Sequence, residues 1–304
     1  MLATASGWRF ESLSRRDPMT ESTARRSASR QEWLLTLPSL AGMLVFFALP
    51  ALNLFLIAFR RADASGEISP GWTLEAWSVF TDPGFLDAAW RTAWISVLTT
   101  ALCVALALPV AWRIRLASPK WRPWLLLVII LPFWTSFLVR VFSWRALLQS
   151  SGPLATLLRE IGLLGDGVQL LYNPIIVVIV MVATYLPMAV LPVHAAMEKL
   201  DLHIYEAARD LGAGPVRAFW RAVVPAVRKS LLATALLVGI PALGSYVVPE
   251  MVGGMDSEML GSKIGQRLFS DRNLPQAAAL AAGLALAAMP LVWLALRRGK
   301  EEAA

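Results

Sequence analysis

Long apolar runs alternate along the chain with short polar segments rich in arginine. A membrane-spanning helix needs about 20 mostly apolar residues, because the hydrocarbon core is about 30 Å thick and each helical residue rises 1.5 Å. Six runs qualify. Trp33–Phe59 and Thr92–Trp112 carry no charge. Pro123–Val139 is shorter and is expected to continue past Arg140 to Trp144. Asn173–Val193 lies inside the uncharged stretch Gly167–Met197, and Ser230–Pro249 and Asn273–Leu296 complete the set. Backbone groups in lipid must be satisfied within the segment, and the alternating pattern of a barrel is missing, so these runs predict six transmembrane helices in an all-α polytopic membrane protein. The predicted organisation is a tail over 1–33, a first helix over 34–59 and a five-helix core over 90–296. That core includes a polar loop at 198–229, and a short tail follows over 297–304. Pro38, Pro50, Pro109, Pro132, Pro187 and Pro241 fall within spans. They predict kinks, which either serve a transport path or only shape packing.

Composition agrees with this pattern. Hydrophobic residues make up 57% of the 304 and charged residues 16%, against about 25% charged in soluble domains. Thirteen tryptophans fit a chain whose aromatic rings gather at two interfaces. The net charge of +7 does not point to nucleic acid, because the basic residues sit in connections between apolar runs rather than on a soluble face. Lys and Arg number six in residues 1–33, four in 113–122, six in 198–229 and three after Leu296. The opposite connections carry nine. The richer side is the cytoplasmic one, so both termini are expected inside a bacterial inner membrane. Residues 1–33 lack a short apolar region with a small-residue cleavage site, so no cleaved signal peptide is expected, and the first run is long enough for an anchor. Met1 and Met19 both stand as start sites. Cys103, the single cysteine, lies in an apolar run and reads as a packing residue. His194 and His203 have no metal-ligand arrangement around them and read as structural.

The loop Glu198–Lys229 predicts two short helices. Asp201 caps the first, which carries Ile204, Tyr205, Ala208 and Leu211 at helical spacing. Gly212 suits a left-handed stop, and Gly214-Pro215 a restart. The second helix, over 215–223, presents Arg217, Phe219, Trp220 and Arg221, and Pro225 is expected to end it. The pattern alone leaves two readings open, a docking knob for a soluble partner or a helix resting on the membrane surface.

Glu206-Ala207-Ala208, then Gly212, then Pro225 thirteen positions on, resembles the cytoplasmic EAA loop of ABC importer permeases. Ala222 and Val224 stand where that pattern has isoleucine and leucine. The run from Leu131 to Arg140 resembles the spermidine/putrescine permease family. So do Tyr185-Leu186-Pro187, the run from Gly239 to Gly244, Pro249-Glu250 and Gly253-Gly254. The resemblance covers most of the chain after Arg91. It implies a type I ABC importer permease fold and a partnership with a second homologous permease, a dimeric ATPase and a periplasmic solute-binding protein. It also implies a coupling role for Glu206, Ala207, Ala208, Gly212, Pro215, Arg217, Phe219 and Pro225.

The chain has no phosphate-cradling loop, and Leu260-Gly261-Ser262-Lys263 has the wrong order for one. Catalytic residues, a metal site and a bound cofactor are therefore not expected, and the partner ATPase consumes the ATP. Small cations of the polyamine kind need carboxylates and aromatic faces along their path. Trp134, Tyr185, Tyr246 and Glu250 are the candidates. Glu250 either meets the solute or pairs with Arg140 or Arg145 and braces helices. Opine-like or amino-acid-like solutes remain the alternative. A secondary transporter is disfavoured, since neither inverted repeats nor a midplane ionisable pair is visible.

Overall fold

The computed structural model of the protein describes residues 36–63, 66, 68–165 and 167–301. The expectations for the tail 1–33, for Met19 and for the last three residues lie outside them. By its contacts the chain divides into a short unit ending at Leu54 and a large one beginning at Phe55.

The described residues are almost entirely helical. The first unit carries most of α1 (Thr36–Ile57). In the second unit a short hairpin follows, β1 (Arg61–Ala62) pairing antiparallel with β2 (Ile68–Ser69), then a 3₁₀ segment at Glu75–Thr81. Next come α2 (Phe85–Leu116), α3 (Arg122–Ile130), α4 (Phe137–Leu148) and α5 (Pro153–Glu160). The long α6 (Pro174–Glu198) leads into α7 (His203–Asp210), α8 (Pro215–Ala226) and α9 (Arg228–Leu243). The chain closes with α10 (Val247–Val252), α11 (Leu260–Gly265) and α12 (Leu274–Glu301).

Four helices are long and apolar enough to cross a membrane unbroken: α1, α2, α6 and α12. The third predicted span is not continuous: Arg122–Trp134 and Phe137–Glu160 meet at 93°. α8 and α9 meet at 74°, just ahead of the fifth predicted span. The predicted span Ser230–Pro249 also breaks between α9 and α10, at Gly244–Tyr246. Apolarity sets the length of a buried segment but not its straightness. At the third span, Pro132 removes a donor and Thr135 and Ser136 are extended. The freed carbonyls find local partners. Thr135 Oγ1 donates to Pro132 O at 2.7 Å, and Arg140 Nη2 donates to Thr135 O at 3.4 Å. Arg140 Nη1 also reaches Thr184 O on α6, at 3.3 Å, tying the break to the neighbouring span.

The core is the packing of α2, α6 and α9. Its fully buried members include Ile95, Cys103, Ala107, Val180, Met181, Val193 and Val238. Two of the buried hydroxyls in these helices are satisfied by their own backbone: Thr92 donates to Ala88 O and Thr184 to Val180 O, both at 2.7 Å. α6 begins where the sequence specifies, with Asn173 Oδ1 accepting from Ile175 N at 2.8 Å and Pro174 in the first turn. A second cluster packs Ala76 and Val79 against Ala278, Ala279 and Leu280 of α12.

Candidate functional site

Two regions of the large unit hold most of the residues singled out from the sequence, and α2 runs between them. Arg91, near its start, lines a cavity. Trp112, near its end, packs on Tyr205 of α7 and Phe219 of α8, with ring centroids 5.0 and 5.5 Å away. Twenty-one residues of helix separate the two, about 32 Å at 1.5 Å per residue, which is the thickness of a bilayer core.

At the Trp112 end, α7 and α8 form as the loop composition predicts. Asp201 Oδ1 accepts from His203 N at 3.0 Å. Gly212 stops α7 at φ +84°, and Pro215 opens α8. Glu206, Ala207, Gly212, Pro215 and Arg217 are exposed, Ala208 is half-buried, and Leu211 projects with 90% of its surface free. Three expectations change. Glu206, whose carboxylate could equally face Arg209 or an ATPase, pairs within the loop with His203, its Oε2 3.2 Å from Nδ1. Helical side chains lean towards the N-terminus, so Glu206 reaches back one turn rather than forward. Phe219 is not an exposed knob. It is half-buried between Trp112 and Trp220 and joins the core to the loop. Pro225 does not end α8, which continues to Ala226. The turn Phe219–Val223 is a π turn, with Val224 N donating to Phe219 O, and its extra width lets the helix clear the proline ring.

At the Arg91 end, α10, the turn at Gly253–Glu258 and α11 enclose about 800 Å³. Two glycines on α11 make this possible. Gly261 lies against Ser245 O and Gly265 against the Tyr246 ring, so closely that a Cβ on either would overlap its neighbour. The cavity brings Tyr246 and Glu250 together as candidates for one site. Tyr246 also faces Phe269, ring centroids 6.3 Å apart. Trp134 and Tyr185 do not line it. Trp134 is exposed in the 3₁₀ turn of the third span, and Tyr185 Oη donates to Pro241 O at 3.5 Å. Glu250 is exposed to the cavity and makes no ion pair among the described residues. Arg140 is held by carbonyls and the Phe133 ring, and Arg145 Nη1 by Met251 Sδ at 3.6 Å. The bracing alternative therefore has no contact behind it. Other polar residues of the lining were not anticipated from the sequence, among them Arg91, Asp256, Glu258, Ser262 and Lys263. The Gly261–Gly265 spacing was the available signal for a close approach there.

The profile of the family described as binding-protein-dependent transport system inner membrane component matches residues 27–298. The chain belongs to this family of ABC importer permeases. The permease is a multi-pass inner-membrane subunit and a non-catalytic one. It is 32% identical over 267 residues to the spermidine/putrescine transport system permease protein PotB of Haemophilus influenzae, covering 88% of this chain and 93% of that one. The PotB of Escherichia coli is 31% identical over 242 residues, 79% of this chain and 88% of that one. The fold matches a crystal structure of a bacterial ABC transporter involved in the import of the acidic polysaccharide alginate. The TM-score is 0.71 at 18% identity, with 91% of this chain and 99% of that one covered.

Proposed function

We propose that this permease forms the membrane path of an importer for small organic cations of the polyamine class. The observation that carries the reading is Glu250, a carboxylate without a cationic partner among the described residues, in a cavity with the Tyr246 and Phe269 rings. A carboxylate beside aromatic faces is the chemistry that receives an alkylammonium group. Relatives named as spermidine/putrescine permeases over most of the chain support the same class. In this reading the cavity faces the periplasm and a solute-binding protein delivers to it. The surface made by Glu206, Ala207, Leu211, Gly212 and Arg217 receives an ATPase dimer in the cytoplasm, and a second permease completes the path.

Glu250→Gln tests the cavity. The change keeps size and hydrogen bonding and removes the charge. Since no buried arginine loses its partner, the amount of protein in the membrane stays at the wild-type level. Uptake of radiolabelled putrescine or spermidine, normalised to that amount, is expected to fall about tenfold, the loss of one charge-assisted contact of roughly 1.4 kcal/mol. Unchanged normalised uptake would remove Glu250 from the path.

A further inference from the structure

The three carboxylates of the cavity are not equivalent. Asp256 Oδ1 lies 3.7 Å from Arg91 Nη2, and Glu258 Oε2 lies 3.4 Å from Lys263 Nζ. Glu250 has neither. Two cations against three carboxylates leave the lining with one uncompensated negative charge. Lys263 is itself a primary ammonium on a four-carbon stem, the same head and stem that an aliphatic polyamine would bring. It is held in place, its side chain 22% exposed and that of Glu258 33%. Its Nζ sits 3.3 Å from where a Cβ on Gly84 would stand. The adjacent Ser262 lines the same cavity, is only 5% exposed, and its Oγ has no hydrogen-bond partner among the described residues. Ser262 therefore has a hydroxyl free to meet a polar group in the cavity, as a buried hydroxyl without a partner is costly.

We propose that Lys263 is a tethered ammonium that occupies Glu258 and thereby limits the cavity to neutralising one ammonium group of a solute at a time, at Glu250. The inference rests on the cationic reading above and adds the residue that sets how much charge the site accepts. Lys263 is a specificity-determining position rather than a group the solute needs. A site that grips one end of a polycation and leaves the other ends free is weak by design. Conduction requires such weakness, because a solute held too firmly does not leave.

Protection of an introduced thiol tests this at the cavity, independently of the binding protein. Ser270→Cys places a thiol on the exposed rim. The natural Cys103 is buried and does not compete. In right-side-out membrane vesicles containing the whole importer, labelling of this chain is followed against putrescine and against butylamine. With Lys263 present the two amines protect at similar concentrations. In Lys263→Met the half-protecting concentration of putrescine is expected to fall about tenfold further than that of butylamine, the gain of a second charge-assisted contact. Lys263→Arg keeps the original ratio. A ratio unchanged in Lys263→Met overturns the inference. If that variant does not accumulate, Glu258→Gln decides. It releases Lys263 as an uncompensated cation, so both amines should protect less well, and unaltered protection again overturns the proposal. Protection by neither amine in any background, with labelling itself intact, is a different result. It removes the cation site and with it the reading on which this inference stands.

Discussion

Gly212 is where a single backbone angle bears most directly on coupling. At φ +84° a side chain costs about 1–2 kcal/mol, and a β-branched one more. Nothing lies within 4 Å of the position a Cβ would take, so the penalty is conformational and not steric. Gly212→Val is expected to unseat the α7–α8 turn and lower co-purification of the ATPase together with uptake. Gly214→Ala is a matched control. Its φ of −62° is ordinary and its surroundings are open, so it should leave both unchanged. Wild-type ATPase recovery in Gly212→Val would show that coupling does not run through this turn. The glycine was legible in the sequence because it follows a helical apolar spacing, and Asp201 because it precedes one. The partner of Glu206 was not, since His203 and Arg209 stand at equal distance along the chain and only side-chain direction separates them. The exposure of Leu211 was also hidden. Its helical spacing marks it as a core residue, and only the assembled loop leaves it bare.

The existence and order of the long helices were legible, and the start of α6 at Asn173, while their breaks and some ends were not: α2 runs from Phe85 to Leu116, beyond the uncharged run Thr92–Trp112 at both ends. Proline gives no reliable signal of a break: α2 runs through Pro109, and α6 through Pro187 and Pro192, without interruption. The third span breaks where Pro132 is followed by extended Thr135 and Ser136, with Arg140 near enough to take a freed carbonyl. That arrangement depends on a neighbour five residues on and on α6, which no local window contains. The break between α9 and α10 depends likewise on α11, whose Gly261 and Gly265 admit Ser245 and Tyr246. The two glycines should respond differently to alanine. At Gly261 the obstacle is backbone, which cannot swing aside, and overpacking of that kind costs about 1–3 kcal/mol. At Gly265 it is the Tyr246 ring, which turns more cheaply. Gly261→Ala is therefore expected to lower the amount of folded permease in the membrane more than Gly265→Ala, measured by fluorescence-detected size exclusion of a tagged chain. Equal losses would mean that Tyr246 is as immovable as the backbone.

At the scale of the large unit, the cavity and the α7–α8 loop lie at opposite ends of α2, which in the proposed function sets a solute-receiving face and an energy-receiving face one bilayer apart. The charge pattern predicts the orientation: the connections expected in the cytoplasm, those with the α7–α8 loop among them, carry nineteen Lys and Arg in the sequence against nine in the others. Reporters fused to either terminus are accordingly expected to be active in the cytoplasm, and one inserted between β2 and α2 in the periplasm. A periplasmic C-terminus would sink the six-span arrangement. Two of the three π turns among the described residues closely precede a proline, which carries a consequence for descent; the third, Gln266–Ser270, does not. Phe219–Val223 ends two residues before Pro225, and Leu44–Ala48 ends two residues before Pro50. A π turn holds one residue more than the α turn it replaces, so the chain before and after it keeps its faces only because of that extra residue. Relatives that lack either proline can lose one residue there and still present the same sides to their neighbours. A single-residue gap in an alignment therefore belongs inside Phe219–Val223 or Leu44–Ala48, and its appearance should coincide with the disappearance of the proline that follows.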